Sequence, residues 1–167
     1  MIFVTVGAQM PFDRLVKTVD QWAVDRGRSD VYAQIGPTDY CPSKIQWTKF
    51  LGPEEFKRRF EAANVIVAHA GTGSIITALQ LGKPIVVMPR RARLRETRSD
   101  HQVATAEQFR RFGSVVVAWD EKELVLRLEG IDNLAGRQAV GSYASRELVE
   151  AIRGFIDGAD THLNGVR

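Results

Sequence analysis

The sequence predicts an α/β fold, a Rossmann-like, doubly wound parallel sheet. Three observations support this prediction. Short runs of branched apolar residues alternate with helical segments along the chain. The runs are apolar at nearly every position, which is typical of parallel strands whose two faces are both covered by helices. The chain has 167 residues, about the length of one domain. We therefore expect one domain over residues 1–158 and a flexible, polar tail over residues 159–167.

The predicted strands share branched apolar residues bounded by turn or loop residues. In chain order they are Ile2–Val6 before Gly7, Val31–Ile35 before Gly36, Ile45–Leu51 before Gly52, Val65–Ala68 before His69, Ile85–Met88 after Pro84, and Val115–Ala118.

The predicted helices share apolar residues at every third or fourth position, or a start or stop signal. In order they are Met10–Arg26 with Asp13 in the first turn, a helix that starts at Pro53, Ser74–Leu81 with Gly82 as its cap, Asp100–Phe112, Asp120–Glu129 and Gly141–Gly158. Residues 130–136 show neither pattern and are predicted to be a loop.

Composition excludes several classes of protein. The chain is 44% hydrophobic and 26% charged, as in ordinary globular domains. No apolar run approaches the roughly 20 residues of a membrane span, and the start of the chain lacks the pattern of a signal peptide. A single cysteine, Cys41, fits a reducing compartment. We expect a cytoplasmic protein.

An arginine cluster stands out against the small net charge of +3. Its members are Arg90, Arg91, Arg93, Arg95 and Arg98. Such a cluster is either a solvated loop or a contact for phosphate, a carboxylate, nucleic acid or anionic lipid. The absence of interleaved aromatic residues argues against nucleic acid.

The loop His69–Ser74, HAGTGS, follows the fourth strand and opens a helix. Gly71 and Gly73 allow the backbone to approach a ligand closely. Amides at a helix start, together with Thr72 and Ser74, are donors for an anion such as a diphosphate. A tight turn with Ser74 as the N-cap explains the composition about as well. The loop is neither a Walker loop nor a dinucleotide fingerprint.

Two further loops leave the carboxyl ends of predicted strands. Gly7-Ala8-Gln9 follows the first strand and adds amides to the same edge. Ser99–Gln102, SDHQ, begins a helix, where His101 and Gln102 are suited to sugar hydroxyls and Asp100 either binds hydroxyls or caps the helix. No general base, metal motif or bound cofactor is indicated, so we expect part of any active site to come from another chain.

Three segments together resemble the C-terminal, donor-binding half of family 28 glycosyltransferases, which have the GT-B fold. They are FVTVGAQMPFDRLVKTVD, VIVAHAGTGSIITALQLGKPIVVMPRR and DHQVATAEQF. The resemblance extends to the catalytic subunit of the split dolichol-linked N-acetylglucosamine transferase. It is strongest to PssE-type subunits of exopolysaccharide synthesis, which act with a membrane-bound PssD-type subunit.

The resemblance implies roles for individual residues. The donor diphosphate would lie against Gly7, Gln9, His69, Gly71, Thr72, Gly73 and Ser74. The donor sugar would contact His101, Gln102 and Asp100. His69 is the candidate catalytic residue. Thr77 stands where many relatives carry a glutamate that binds the ribose, so ribose recognition must differ here.

The implied function is donor binding and catalysis in an inverting, two-chain enzyme that transfers a sugar from a UDP-sugar to a lipid-linked acceptor. Glucuronic acid is one candidate sugar, because Arg90, Arg91 or Arg93 could bind its carboxylate. The partner would hold the chain at the inner face of the plasma membrane, and self-association is left open. The alternative is a non-catalytic module that binds a nucleotide sugar or scaffolds a synthesis complex.

Overall fold

The structure is a computed structural model and describes residues 1–111 and 115–135. Its six strands form one sheet in the order β3-β2-β1-β4-β5-β6, and every neighbouring pair is parallel. The strands are β1 (Ile2–Thr5), β2 (Val31–Gln34), β3 (Gln46–Thr48), β4 (Val65–His69), β5 (Ile85–Met88) and β6 (Val116–Val117). The predicted doubly wound parallel sheet is confirmed.

Six helices cover this sheet in the described ranges. They are α1 (Asp13–Asp25), α2 (Pro53–Ala62), α3 (Thr72–Gln80), α4 (His101–Arg111), α5 (Glu121–Glu129) and α6 (Ile131–Ala135). A short 3-10 turn, Ala92–Leu94, lies between β5 and α4. The predicted helix over residues 141–158 and the tail lie outside the described residues. No helix in the described ranges is long and apolar enough to span a bilayer.

The sheet has an apolar core on each face. Alternate residues of β1 enter opposite cores, because successive side chains of a strand point to opposite faces. Ile2 and Val4 pack with α1, α5 and α6, whereas Phe3 packs with α2, α3 and α4. Phe3 makes edge-to-face contacts with Phe56 and Phe60 of α2 at centroid distances of 5.6 and 6.0 Å.

The largest differences between the predicted elements and the structure concern two segments. Residues 131–135 form a helix rather than a loop. Ile131 is buried in the core, and Asp132 forms an ion pair of 2.7 Å with Arg28, so tertiary contacts stabilise a helix too short to show a periodic pattern. The third strand is also shorter than predicted, since it has a partner on one side alone, β2.

The strand order reverses between β1 and β4. From this pair the chain winds through β2 and β3 in one direction and through β5 and β6 in the other. In open α/β sheets the crevice at the carboxyl ends of such a pair is where ligands bind. The loops after β1 and β4 were expected at the same edge of the sheet, and this is confirmed, because β1 and β4 are neighbouring parallel strands.

Candidate functional site

His69 is the last residue of β4 and joins the two loops at the switch point. Its ring lies between Gly7 and Gly71. A Cβ atom built on Gly7 would be 3.1 Å from His69 Cε1, and one built on Gly71 would overlap with Nε2. Gly7 also has φ of +75°, a conformation that disfavours other residues. The imidazole therefore occupies space that two glycines leave open.

The His69 ring is neutral at pH 7. Burial lowers the pKa of His69 to about 4, and the positive charge of Arg90 contributes to this shift. Nδ1 lies 3.5 Å from the carbonyl oxygen of Thr5, which can only accept a hydrogen bond. This contact favours the neutral tautomer that carries its proton on Nδ1, in which Nε2 is an acceptor. To donate a hydrogen bond to a diphosphate from Nε2 while Nδ1 still donates to Thr5, the ring must take up a second proton.

The start of α3 is open to an anion. The helix begins at Thr72 with Gly71 as its N-cap, and within the described residues no side chain caps it. Ser74 lies inside the first turn, so the alternative in which Ser74 caps the helix is wrong. The first intrahelical bond runs from Ile75 N to Gly71 O at 3.2 Å, which leaves the preceding helical amides without an intrahelical acceptor.

Gly73 has no structural need to be glycine. A Cβ atom built on it would meet nothing within 4 Å, and its φ does not lie in the left-handed region. Glycine inside a helix costs about 0.5–1 kcal/mol relative to alanine. The fold alone therefore does not explain this residue, and the space beside it on the first turn of α3 is open.

Thr77 lies one turn further along α3, and its hydroxyl is already used. Oγ1 donates to the carbonyl oxygen of Gly73 at 2.8 Å. The remaining lone pairs of Oγ1 can accept from a ribose hydroxyl, but Thr77 offers no carboxylate. Its predicted role toward ribose stays a prediction.

Arg90 is placed differently from the other arginines of the cluster. It is 5% exposed, and its Nη2 donates to the carbonyl oxygens of Val6 at 2.9 Å and Met10 at 2.6 Å. Its guanidinium also lies 5.1 Å from the ring centroid of Phe12. This placement argues against the predicted contact between Arg90 and a donor carboxylate, because the side chain is committed to the loop after β1.

Arg91 and the following loop are held by Glu96. The backbone N–H of Arg91 donates to Glu96 Oε2 at 2.9 Å, and Glu96 also forms a two-point ion pair with Arg14 of α1 at 2.7 and 2.9 Å. The Arg91 guanidinium donates to the carbonyl oxygen of Trp119 at 3.3 Å. Arg93, Arg95 and Arg98 are exposed.

The start of α4 contains the third predicted loop. Asp100 Oδ1 accepts the backbone N–H of Ala92 at 2.8 Å, so this oxygen holds the preceding loop. His101 is exposed, and its Nδ1 lies 3.0 Å from Ser99 Oγ. Gln102 is buried, and its Oε1 accepts the backbone N–H of Arg90 at 3.2 Å. Asp100 and Gln102 thus each use one oxygen to bind the backbone that follows β5, whereas His101 contacts Ser99.

The structure brings most of the residues predicted to bind the donor diphosphate to the carboxyl edge of the sheet. Gly7, His69 and Gly71 are in mutual proximity, Thr72 to Ser74 follow directly, and Gln9 is exposed on the loop after β1. Sequence reasoning did not identify Arg14 or Glu96, which fix the loop after β5. Glu96 was the one acidic residue within the arginine cluster, and this isolated opposite charge was the available signal.

Known proteins share this fold and part of this sequence. The UDP-N-acetylglucosamine transferase subunit ALG13 of Yarrowia lipolytica is 26% identical over 135 residues, covering 72% of this chain and 65% of the relative. The chain therefore spans less than two thirds of that relative's length.

Two solved structures show the same architecture. The solution structure of ALG13 has a TM-score of 0.61 and 22% identity, with 91% of this chain and 96% of that chain covered. The Streptomyces sp. SF2575 glycosyltransferase SsfS6, solved in complex with thymidine diphosphate, has a TM-score of 0.53 and 20% identity, with 92% and 37% covered. These likenesses concern the fold.

The family follows from the sequence match. The model of the glycosyltransferase family 28 C-terminal domain matches residues 1–133, which include all three loops of the candidate site. This chain belongs to the glycosyltransferase family 28 C-terminal domain family.

Proposed function

We propose that this chain is the donor-binding, catalytic subunit of a two-chain inverting glycosyltransferase that uses a UDP-sugar. The observation that carries the proposal is the uncapped start of α3, with the unexplained Gly73, beside the loop after β1. The partial charge of a helix start and free amides favour a diphosphate at this place. A glycosyltransferase of similar fold, SsfS6, was solved with a nucleoside diphosphate.

In the proposed reaction the acceptor hydroxyl oxygen attacks the anomeric carbon as the bond from that carbon to the diphosphate oxygen breaks. A base on the partner chain takes the hydroxyl proton, and UDP leaves with the electron pair of the broken bond. The amides at the start of α3 and the hydroxyls of Thr72 and Ser74 stabilise the charge on the departing diphosphate. His69 contributes after it has gained a proton.

The proposed partner is a membrane-bound subunit of the PssD type that binds a lipid-linked saccharide. The relative ALG13 is named as a transferase subunit, which supports a divided enzyme. In this proposal the partner holds the chain at the inner face of the plasma membrane, and the enzyme acts in exopolysaccharide synthesis.

Glucuronic acid is the proposed donor sugar, and Arg93 is the arginine best placed to bind its carboxylate. Arg90 is buried and Arg91 donates to Trp119, whereas Arg93 is exposed in the 3-10 turn that Asp100 holds. Arg93→Gln should weaken binding of UDP-glucuronate by roughly tenfold and leave UDP-glucose unchanged. Equal losses for both donors would remove the carboxylate contact.

The experiment is to measure UDP release and labelled lipid product from several UDP-sugars. Membranes that contain the partner and acceptor are assayed with and without this chain, and this chain is also assayed with membranes that contain the acceptor but lack the partner. Turnover that needs both components supports the proposal. Nucleotide-sugar binding without turnover under these conditions would favour the non-catalytic module. This module is the second candidate because Thr77 offers no carboxylate to bind the ribose.

A further inference from the structure

Arg90 carries a positive charge, and no carboxylate in residues 1–111 or 115–135 forms an ion pair with it. Glu96 is the acidic residue that acts on it electrostatically, but the two oxygens of Glu96 bind the guanidinium of Arg14. The groups that Arg90 does bind are backbone carbonyls, which are neutral. A buried charge without a counter-charge is costly, and burial lowers the pKa of Arg90 accordingly.

One nitrogen of the buried guanidinium is also unsatisfied. Within the described part of the chain, Nε of Arg90 has no hydrogen-bond partner although it is shielded from solvent. Buried donors normally have a partner, so an unsatisfied one needs an explanation. A site that tolerates an unpaired donor and an uncompensated cation is suited to an anionic ligand.

Arg90 bonds to two of the three loops of the candidate site, and its charge acts on the third. Its side chain binds Val6 O and Met10 O, which flank the segment Gly7-Ala8-Gln9. Its backbone N–H binds Gln102 at the start of α4. Its charge also acts on His69, which lies between Gly7 and Gly71.

We propose that Arg90 is a positioning residue of the donor site, which holds the loop after β1 against the diphosphate and supplies the positive charge that the bound diphosphate offsets. This inference rests on the proposed function. In this proposal Arg90 does not contact the sugar. It acts by holding the loop after β1 and by making the electrostatic potential at the diphosphate more positive.

Two substitutions separate the two actions of Arg90. Arg90→Lys keeps the charge, but the lysine side chain ends one bond short of Nη2, the nitrogen through which Arg90 binds the carbonyl oxygens of Val6 and Met10. Arg90→Gln removes the charge. Arg98→Gln is the matched control, because Arg98 lies in the same arginine cluster and is exposed.

The first measurement is binding of UDP and of uridine by calorimetry. Arg90→Gln should weaken UDP binding roughly tenfold or more, while the uncharged uridine changes by less than about threefold. Arg98→Gln should bind both ligands as the unmodified chain does. Equal loss of UDP and uridine would indicate general damage and contradict the electrostatic action, and unchanged UDP affinity would overturn it.

The second measurement is amide hydrogen exchange without ligand. Exchange at residues 7–10 should be faster in Arg90→Lys and Arg90→Gln, whereas β2 should be unchanged, because the loop has lost its anchor. If Arg90→Gln does not fold, Arg90→Lys carries this test, and wild-type exchange in that variant would overturn the positioning role.

The two measurements also separate this inference from the proposed function. A wild-type chain that does not bind UDP contradicts the proposed function, and the exchange experiment still decides whether Arg90 holds the loop. A wild-type chain that binds UDP, with Arg90→Gln binding it equally well, overturns the inference alone.

Discussion

The ring of His69 packs directly on Gly71, with no room between them for a methyl group. A Cβ atom built on Gly71 would lie 2.9 Å from Cδ2 and 3.0 Å from Cε1 of His69, in addition to its overlap with Nε2. The backbone of Gly71, with φ of −85° and ψ of 132°, is open to any residue. Space around the imidazole, rather than backbone conformation, therefore requires glycine here.

Gly71→Ala should destabilise the chain and weaken UDP binding. The added methyl group must displace His69, and overpacking of this kind typically costs about 1–3 kcal/mol. In the double variant with His69→Ala the methyl group has room, so the two substitutions should couple by about 0.5–3 kcal/mol in the free energy of unfolding. Denaturant unfolding of the four proteins in the cycle measures this coupling. Additive effects would show that the ring and Gly71 are not in contact.

Gly73→Ala should separate the stability of the fold from ligand binding. Because the methyl group meets nothing and alanine favours a helix, the free energy of unfolding should stay the same or rise by up to about 1 kcal/mol. UDP affinity should nevertheless fall roughly tenfold, because the methyl group occupies the proposed diphosphate position.

Gly52→Ala is the matched control for this test. Gly52 precedes α2, and a Cβ atom there also meets nothing within 4 Å. UDP affinity should be unchanged in this variant. If Gly73→Ala binds UDP as tightly as Gly52→Ala does, the diphosphate does not lie on the first turn of α3.

The depressed pKa of His69 predicts a loss of stability in acid. Between the ordinary value of 6.5 and the folded value of about 4, the unfolded chain binds a proton that the folded chain does not. The free energy of unfolding should therefore fall as the pH is lowered through this window, by on the order of 3 kcal/mol in total. Urea unfolding of the wild type and of His69→Gln between pH 4 and pH 7 measures it. If the free energy of unfolding falls equally with pH in both proteins, the lowered pKa does not belong to His69.

The same residue predicts a pH dependence of donor binding. A diphosphate raises the pKa of a neighbouring imidazole, so UDP-sugar binding should be coupled to proton uptake by His69. Affinity should increase as the pH falls from 7.5 to 5.5, and calorimetry in buffers of different ionisation enthalpy should detect the proton. His101→Gln should retain this dependence. If the affinity of His69→Gln for the UDP-sugar still depends on pH in the same way, another group takes up the proton.

Thr77→Glu should strengthen UDP binding if the ribose lies over α3. The substitution supplies the carboxylate that the family resemblance implies at this position, and charge-assisted hydrogen bonds to hydroxyls are about twice as strong as neutral ones. An increase of several-fold is expected. Thr77→Val, which removes the hydroxyl without adding a carboxylate, is the control and should bind no more tightly than the wild type. A glutamate that leaves affinity unchanged would place the ribose elsewhere.

The parallel sheet and the meeting of two loops could be predicted because both follow from local patterns. Runs such as Val65–Ala68 identify buried strands, and a reversal of strand order brings the loops after β1 and β4 together. The short helix Ile131–Ala135 could not be predicted, since it depends on burial of Ile131 and on the ion pair between Asp132 and Arg28.

The placement of Arg90 shows a further limit of the sequence. Five arginines in one cluster are chemically equivalent until the fold directs one of them inward. Arg90 directly follows the Pro89 that leaves β5, and there its side chain reaches the carbonyls of the loop after β1. The start of α3 was also predicted two residues too late, at Ser74 instead of Thr72, because glycine is unfavourable in helices and Gly73 therefore does not indicate a helix.

The most direct test of a diphosphate at the switch point is amide chemical-shift mapping. Labelled protein is titrated with UDP and, separately, with uridine. The amides of Gly7 and of residues 71–74 should shift with UDP and change far less with uridine, while Gly52 stays in place. Saturable UDP shifts that leave Gly7 and residues 71–74 unmoved and instead cluster on another surface would contradict the account.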